Sequence, residues 1–201
     1  MIVPFPLPTD NLRHRYCQNC YSEEVEDIVI DEKRLYKCNK CGKTFDRLID
    51  IDPKLIYWVD KETKEYWHES VGVIVSNQKK QILLIERTIY PYGHTIPAGH
   101  LETGEIPEKA AIRELFEETR IKTSTLNHFI DEDIDIDPCR RGADKHRWHI
   151  YKYLLKEEKK IAADIGEGKN PKWLSLTQSL QKKLTPPVLY LLKKYGDKLL
   201  S

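Results

Sequence analysis

Four of the five cysteines fall into two close pairs, Cys17 and Cys20 in CQNC, and Cys38 and Cys41 in CNKC, with seventeen residues between the pairs. Nothing else in the chain constrains its N-terminal part so strongly. A tetrahedral four-thiolate site needs each pair to bend back on itself and present two sulfurs. Gly42, directly after Cys41, gives one such turn its backbone freedom. Cysteine at all four positions leaves no coordination place for water, so a zinc ion held there is structural, with iron in the same ligand set as the alternative. VEDIVI and RLYK, between the pairs, read as two short strands joined by DEK. So small a module buries little core, and metal binding supplies most of its folding energy. Cys139, in DPCRRG, stands apart and reads as a thiol without a role. The odd count and the paired grouping argue against a disulfide framework and for a reducing compartment.

Residues 1–47 therefore divide into a proline-bearing extended lead-in and a zinc ribbon, followed by a connector at 48–65 and a larger domain at 66–201. In the larger domain ESVGVIVS and QILLIER read as a hairpin around NQKK. PYGHTIPAGHLETGEI is a long loop, and Pro107 then suits the first position of a helix with Glu108 in its positive first turn. Ala111, Leu115 and Thr119 give that helix one apolar stripe, which Ile112 and Phe116 widen. Strands are expected at 125–131 and 147–155, and a final helical region at 186–200 carries Val188, Leu191, Leu192 and Tyr195 on one face.

The net charge of +1 gives no electrostatic footprint for nucleic acid or an anionic membrane. No run approaches the ~18 apolar residues that span a bilayer. MIVPFPLPTD lacks the parts of a signal peptide, so a cytoplasmic location is expected.

Within IRELFEETRI the acids Glu114, Glu117 and Glu118 follow Arg113 on one helix. Glu114 neighbours both other glutamates, and like charges so placed cost roughly 0.2–0.5 kcal/mol per pair. Either the face is solvated or a cation gathers the acids. Hard divalent ions bind through a few carboxylates plus substrate phosphates, and Glu114 and Glu118, one turn apart, can chelate from a single face. Arg113, four positions before Glu117, is placed to fork onto a carboxylate.

Widened to GHLETGEIPEKAAIRELFEETRI, residues 99–121, the stretch closely resembles the signature of the Nudix hydrolases. It reads Gly99, five residues, Glu105, seven residues, then Arg113-Glu114-Leu115-x-Glu117-Glu118-x-x-Ile121. One position departs, with Arg120 where the family has glycine. The resemblance implies an α/β (α+β) fold, a mixed sheet sandwiched by helices. It also implies hydrolysis of a pyrophosphate bond in a nucleoside diphosphate derivative, with Mg²⁺ or Mn²⁺ bound by Glu114, Glu117, Glu118 and the carbonyl of Ala98. Glu105 would brace the loop against the helix. Glu167, in EGKNPKWLSL, resembles an extra loop carboxylate of some Nudix pyrophosphatases, so the catalytic set reads Arg113, Glu114, Glu117, Glu118 and Glu167, with Glu117 or Glu167 accepting the proton.

A ribbon ahead of this domain is also similar to the NADH pyrophosphatases, but their downstream motif, close to SQPWPFPxS, is missing from KTSTLNHFIDEDIDIDPCRRGADKHRW. ADP-ribose, a dinucleotide or another nucleotide derivative is then the expected partner, with NADH pyrophosphatase activity as the alternative, and Tyr90, Tyr92 and His94, or Arg140, Arg141, His146 and Trp148, are placed to stack on a base or grip phosphate. The reading of a different class is a catalytically silent nucleotide sensor or nucleic-acid-binding regulator that works through the ribbon. The sequence leaves a homodimer open.

Overall fold

The computed structural model describes residues 1–156, 161, 164–165 and 168–200. The elements run β1 (His14–Tyr16), β2 (Val25–Ile30), β3 (Lys33–Cys38), β4 (Thr44–Phe45), β5 (Ile49–Ile51), β6 (Tyr57–Val59), β7 (Tyr66–Asn77), β8 (Ile82–Arg87), β9 (His94–Thr95) and β10 (Ala98–His100). After α1 (Pro107–Thr119) come β11 (Asn127–Ile134), β12 (Lys145–Leu155), β13 (Asp164–Ile165), β14 (Gly168–Leu174), α2 (Leu176–Leu180) and α3 (Pro186–Tyr195).

The sheet is organised by β7. Along one edge it pairs in parallel with the whole of β12; along the other it meets β6, β10 and β8 in turn, all antiparallel. The main path is β11-β12-β7-β8-β14-β13. Because alternate side chains of a strand face opposite ways, β7 sends Val71, Val73 and Val75 to one face and Ile74 to the other. The valines pack with Leu83 and with Ala110, Ala111 and Leu115 of α1. Ile74 packs with Leu84, Ile150 and the α3 residues Val188, Leu191 and Leu192. Helices on both faces of a mixed sheet are the expected sandwich. Burying each such aliphatic side chain stabilises the fold by roughly 1.5–3 kcal/mol.

The helix bounds follow their sequence signals. Pro107 opens α1, and Pro186 opens α3 behind Thr185. Ser175 and Gln178 form a reciprocal capping box on α2. Phe116 does not widen the buried stripe as expected. It is 36% exposed, because Ala110 takes the sheet-facing place, and the Phe116 ring instead meets the cations of Arg120 and Lys122 at 5.3 and 5.8 Å.

The N-terminal segment and the connector are tied to this sheet. Val3 N donates to Lys64 O, Tyr66 N donates to Met1 O, and the Met1 ammonium pairs with Asp144. β1 pairs with β5, β6 with the start of β7, and Val3, Ile49, Ile51, Tyr66 and Ala143 share a third, smaller core. In the ribbon β2, β3 and β4 form an antiparallel sheet, and Arg140 Nη1 donates to the hydroxyl of Tyr36 on it at 3.1 Å. Among the described residues no helix is long and apolar enough to cross a membrane.

Candidate active site

The ribbon brings its four cysteines together. Cys17 Sγ lies 3.7 Å from Cys41 Sγ, and Cys20 Sγ 3.6 Å from Cys38 Sγ. A tetrahedral ion with Zn–S bonds near 2.3 Å separates its sulfurs by about 3.8 Å, so this spacing suits zinc. Each knuckle closes through a left-handed residue after its second cysteine, Gly42 with φ 71° and Tyr21 with φ 58°. Tyr21 N donates to Cys17 O, Gly42 N donates to Cys38 O, and the Tyr21 ring lies 5.6 Å from that of Phe5.

Glu114, Glu117 and Glu118 line a cavity of about 400 Å³ together with Ala98, Gly99 and Arg140. On β10 alternation turns Gly99 toward α1, and a Cβ placed there would fall 2.0 Å from Glu114 Oε1. The Glu114 carboxylate thus lies directly on the Gly99 backbone, where any side chain would displace it. Glu118 Oε2 accepts from Ala98 N–H at 3.1 Å. Two carboxylates of α1 therefore lie against the 98–99 backbone, and carboxylate oxygens are the donors that suit a hard divalent cation.

Arg113 orients these acids, though not through the partner its spacing indicates. Its Nε and Nη2 fork onto Glu105 at 3.1 and 2.9 Å, its Nη1 donates to Glu114 at 2.6 Å, and Glu117 is reached only at 3.5 Å. Glu105 presents both oxygens side by side from the loop, whereas Glu117 points outward with its side chain 52% exposed. Glu105 consequently braces the loop against the helix. The paired carboxylates hold the Arg113 proton still more firmly than usual, hydrogen bonding to Glu105 being the largest cause.

Arg120 adopts the glycine conformation, with φ 59° and ψ 17°, and its N–H donates to Phe116 O at 2.8 Å. An L-residue there costs roughly 1–2 kcal/mol, partly offset by the Phe116 ring beneath its guanidinium. None of the acids depends on it.

The downstream candidates Arg140, Arg141, His146 and Trp148 line the cavity, as does Arg87 from β8, which the sequence did not single out. Arg141 is engaged by Asp50 and Asp52 at 3.0 and 3.1 Å. Tyr90, Tyr92 and His94 are not among the lining residues, although Pro91 between them is. Glu167 lies outside the described residues.

Cys139 is not an unengaged thiol. Among the described residues two groups of potential metal donors bring their ligand atoms within 4.8 Å of one another: the four ribbon cysteines, and His68, His100, Cys139 and His146. The three glutamates are not a third such group. Burial pushes His68 and His100 well below the ordinary imidazole range. His146 is pushed up to about 10, burial opposing the charge and being outweighed by Asp137 and Cys139.

Comparison with known proteins places this site in a family. The chain is 30% identical over 107 residues to Nudix hydrolase 26, chloroplastic, of Arabidopsis thaliana, an alignment covering 47% of this chain and 50% of that protein. It is 28% identical over 118 residues to an RNA pyrophosphohydrolase of Cereibacter sphaeroides, covering 52% of this chain and 73% of the relative. The NUDIX domain of Shewanella oneidensis NrtR, solved with ADP ribose, superposes with a TM-score of 0.56 at 19% identity, covering 70% of this chain and 93% of that one. Residues 66–195 match the NUDIX domain family model, and the chain belongs to the Nudix family.

Proposed function

We propose that the chain is a Mg²⁺- or Mn²⁺-dependent pyrophosphohydrolase that cleaves the pyrophosphate bond of a nucleoside diphosphate derivative. The observation that carries this reading is a cavity lined both by the acids Glu114, Glu117 and Glu118 and by the bases Arg87 and Arg140. A pyrophosphate has a place between such groups when cations accompany it to the acids.

Glu114, Glu118, Glu117 and the Ala98 carbonyl are the residues that would hold the metal. Bound there, the ion would neutralise phosphate oxygens and lower the pKa of a coordinated water. The chain's own groups do the rest. The Arg113 fork on Glu105 fixes the loop, and its bond to Glu114 fixes that carboxylate over Gly99. Ala98 N–H orients Glu118. Glu117, the most exposed of the three, accepts the proton from the attacking water, with Glu167 as the rival acceptor. Arg87 and Arg140 bring positive charge toward the phosphate that leaves.

The ribbon cysteines would hold a structural Zn²⁺. The missing NADH-type motif makes ADP-ribose and other nucleoside diphosphate derivatives the first substrates to try. Purified protein with Mg²⁺ is incubated with ADP-ribose, NADH, diadenosine polyphosphates, nucleoside triphosphates and nucleotide sugars, and the products are resolved chromatographically. Hydrolysis at a pyrophosphate linkage that requires the divalent ion supports the reading. Tight binding of a nucleotide with no turnover of any compound would replace it with the sensor.

A further inference from the structure

We propose that His68, His100, Cys139 and His146 form a second zinc site, in which three imidazoles and one thiolate close a tetrahedron; its donors are distinct from the ribbon cysteines and from the glutamates, although His100, Cys139 and His146 line the same cavity as the latter. The sheet assembles three of the ligands. In the parallel pairing of β12 with β7, His146 lies opposite His68, and in the antiparallel pairing of β10, His100 lies opposite Ser70, one pleat further along β7. All three rings project to one face, with centroids 4.9, 5.5 and 5.7 Å apart. The fourth ligand comes from the loop between β11 and β12, where Cys139 N donates to Ala143 O and Gly142 N donates to Cys139 O. Gly142, at φ 100°, is needed there because a Cβ would stand 2.5 Å from Leu48 O.

The distances and the bonding both ask for an ion. Zn–S bonds near 2.3 Å and Zn–N bonds near 2.0–2.1 Å set sulfur and nitrogen about 3.6 Å apart in a tetrahedron. Cys139 Sγ lies 3.6 Å from His68 Nδ1. Nε2 of His68, Nε2 of His100 and Nδ1 of His146 are buried and make no hydrogen bond. His146 Nδ1 does stand 3.0 Å from Asp137 Oδ2, but outside hydrogen-bonding geometry, and that oxygen already accepts from Trp148 Nε1 at 2.7 Å. An ion pair of His146 with Asp137 and Cys139 engages one ring and still leaves one buried nitrogen on each of His68 and His100 without a hydrogen bond, at a cost of roughly 1–3 kcal/mol for each unmade bond. A metal would take one nitrogen from each ring together with the Cys139 sulfur, and the four ligand atoms already lie within 4.8 Å of one another.

Imidazole and thiolate together select zinc over magnesium or calcium. On binding, the Cys139 thiol releases its proton to solvent, as does any His146 imidazolium, and Asp137 stays beside the ring as an anionic neighbour. Four protein ligands leave no open position, so the ion is structural. What it fixes is the loop that carries Arg140 and Arg141 to the catalytic cavity.

The test uses the full-length protein, loaded with zinc and freed of loose metal, and counts metal by mass spectrometry. About two zinc ions per chain are expected. Cys139→Ser and, separately, His68→Gln should each hold about one, and so should a Cys38→Ser/Cys41→Ser ribbon variant. Cobalt loading adds an optical readout. The ribbon variant should keep a weak thiolate-to-cobalt charge-transfer band, and that band should vanish when Cys139→Ser is added. Wild-type protein that saturates at one ion overturns the proposal even if a variant fails to fold. So does a Cys139→Ser protein that still holds two. No result depends on hydrolysis, so the hydrolase reading and this one fail separately.

Discussion

The ribbon's cysteines and the helix's glutamates hold their donors in opposite ways. The thiols come from two knuckles, converge to 3.6–3.7 Å and enclose a point that no water can share. The carboxylates come from neighbouring turns of one helix, stay apart along a cavity wall and are steadied by Arg113 and the Ala98 N–H. A closed site spends its ligands on folding, whereas an open one keeps coordination places for water and phosphate. Disruption of the first should therefore appear as lost structure, and disruption of the second as lost rate.

The largest effect is expected in the ribbon. Structural zinc in so small a module contributes on the order of 10 kcal/mol, so Cys38→Ser/Cys41→Ser should unfold β2–β4. Hydrogen exchange should find those amides unprotected while β7 and β12 remain slow. Simultaneous loss of protection in both regions would erase the distinction. Next comes Gly99→Ala. The added methyl meets the movable end of Glu114 rather than backbone, so the fold should lose no more than about 1 kcal/mol. Displacing a ligand by about 1 Å, however, should slow hydrolysis roughly 10²-fold. Thermal melts and kcat/KM read the two parts. Arg113→Lys keeps the charge but loses the fork onto Glu105, and about tenfold in kcat/KM is expected, since a lysine cannot bridge two oxygens side by side. Smallest is Arg120→Gly. Relief of the left-handed strain should raise stability by up to ~1 kcal/mol with no change in rate. A drop in kcat would show that Arg120 belongs to the site after all.

These contrasts track what the sequence could reveal. The knuckles and the α1 glutamates are local patterns, with spacings set by a turn or a helix, so they were legible. So were α1 and α3, opened by Pro107 and Pro186, and the β7–β8 hairpin. The β11 strand lies a little downstream of its expected place, and Phe116 faces out because periodicity alone cannot say which residue at the edge of a stripe the sheet will cover. The connector's strands at Ile49–Ile51 and Tyr57–Val59 are too short to show a period, and their pairing is decided by distant partners. The His68–His100–Cys139–His146 cluster was illegible for the same reason in stronger form. No two of its members share a turn, and the parallel register of β12 on β7 creates the neighbourhood. Arg113 shows a milder case, since a spacing that allows Glu117 gave way to Glu105 across the loop.

The repelling acids remain the most direct test of the claim that α1 carries a catalytic metal site. Glu118→Gln keeps the side chain's size and leaves an oxygen to accept from Ala98 N–H, but removes one charge from the pair with Glu114. Measured without divalent ions, the variant should melt at the wild-type temperature or slightly above, the relief amounting to roughly 0.2–0.5 kcal/mol. Measured as pyrophosphate hydrolysis against Mg²⁺ concentration, it should need more metal and lose several kcal/mol of transition-state stabilisation. Equal rates and an unchanged Mg²⁺ dependence would mean that the glutamates are only a solvated face, and the account would be wrong.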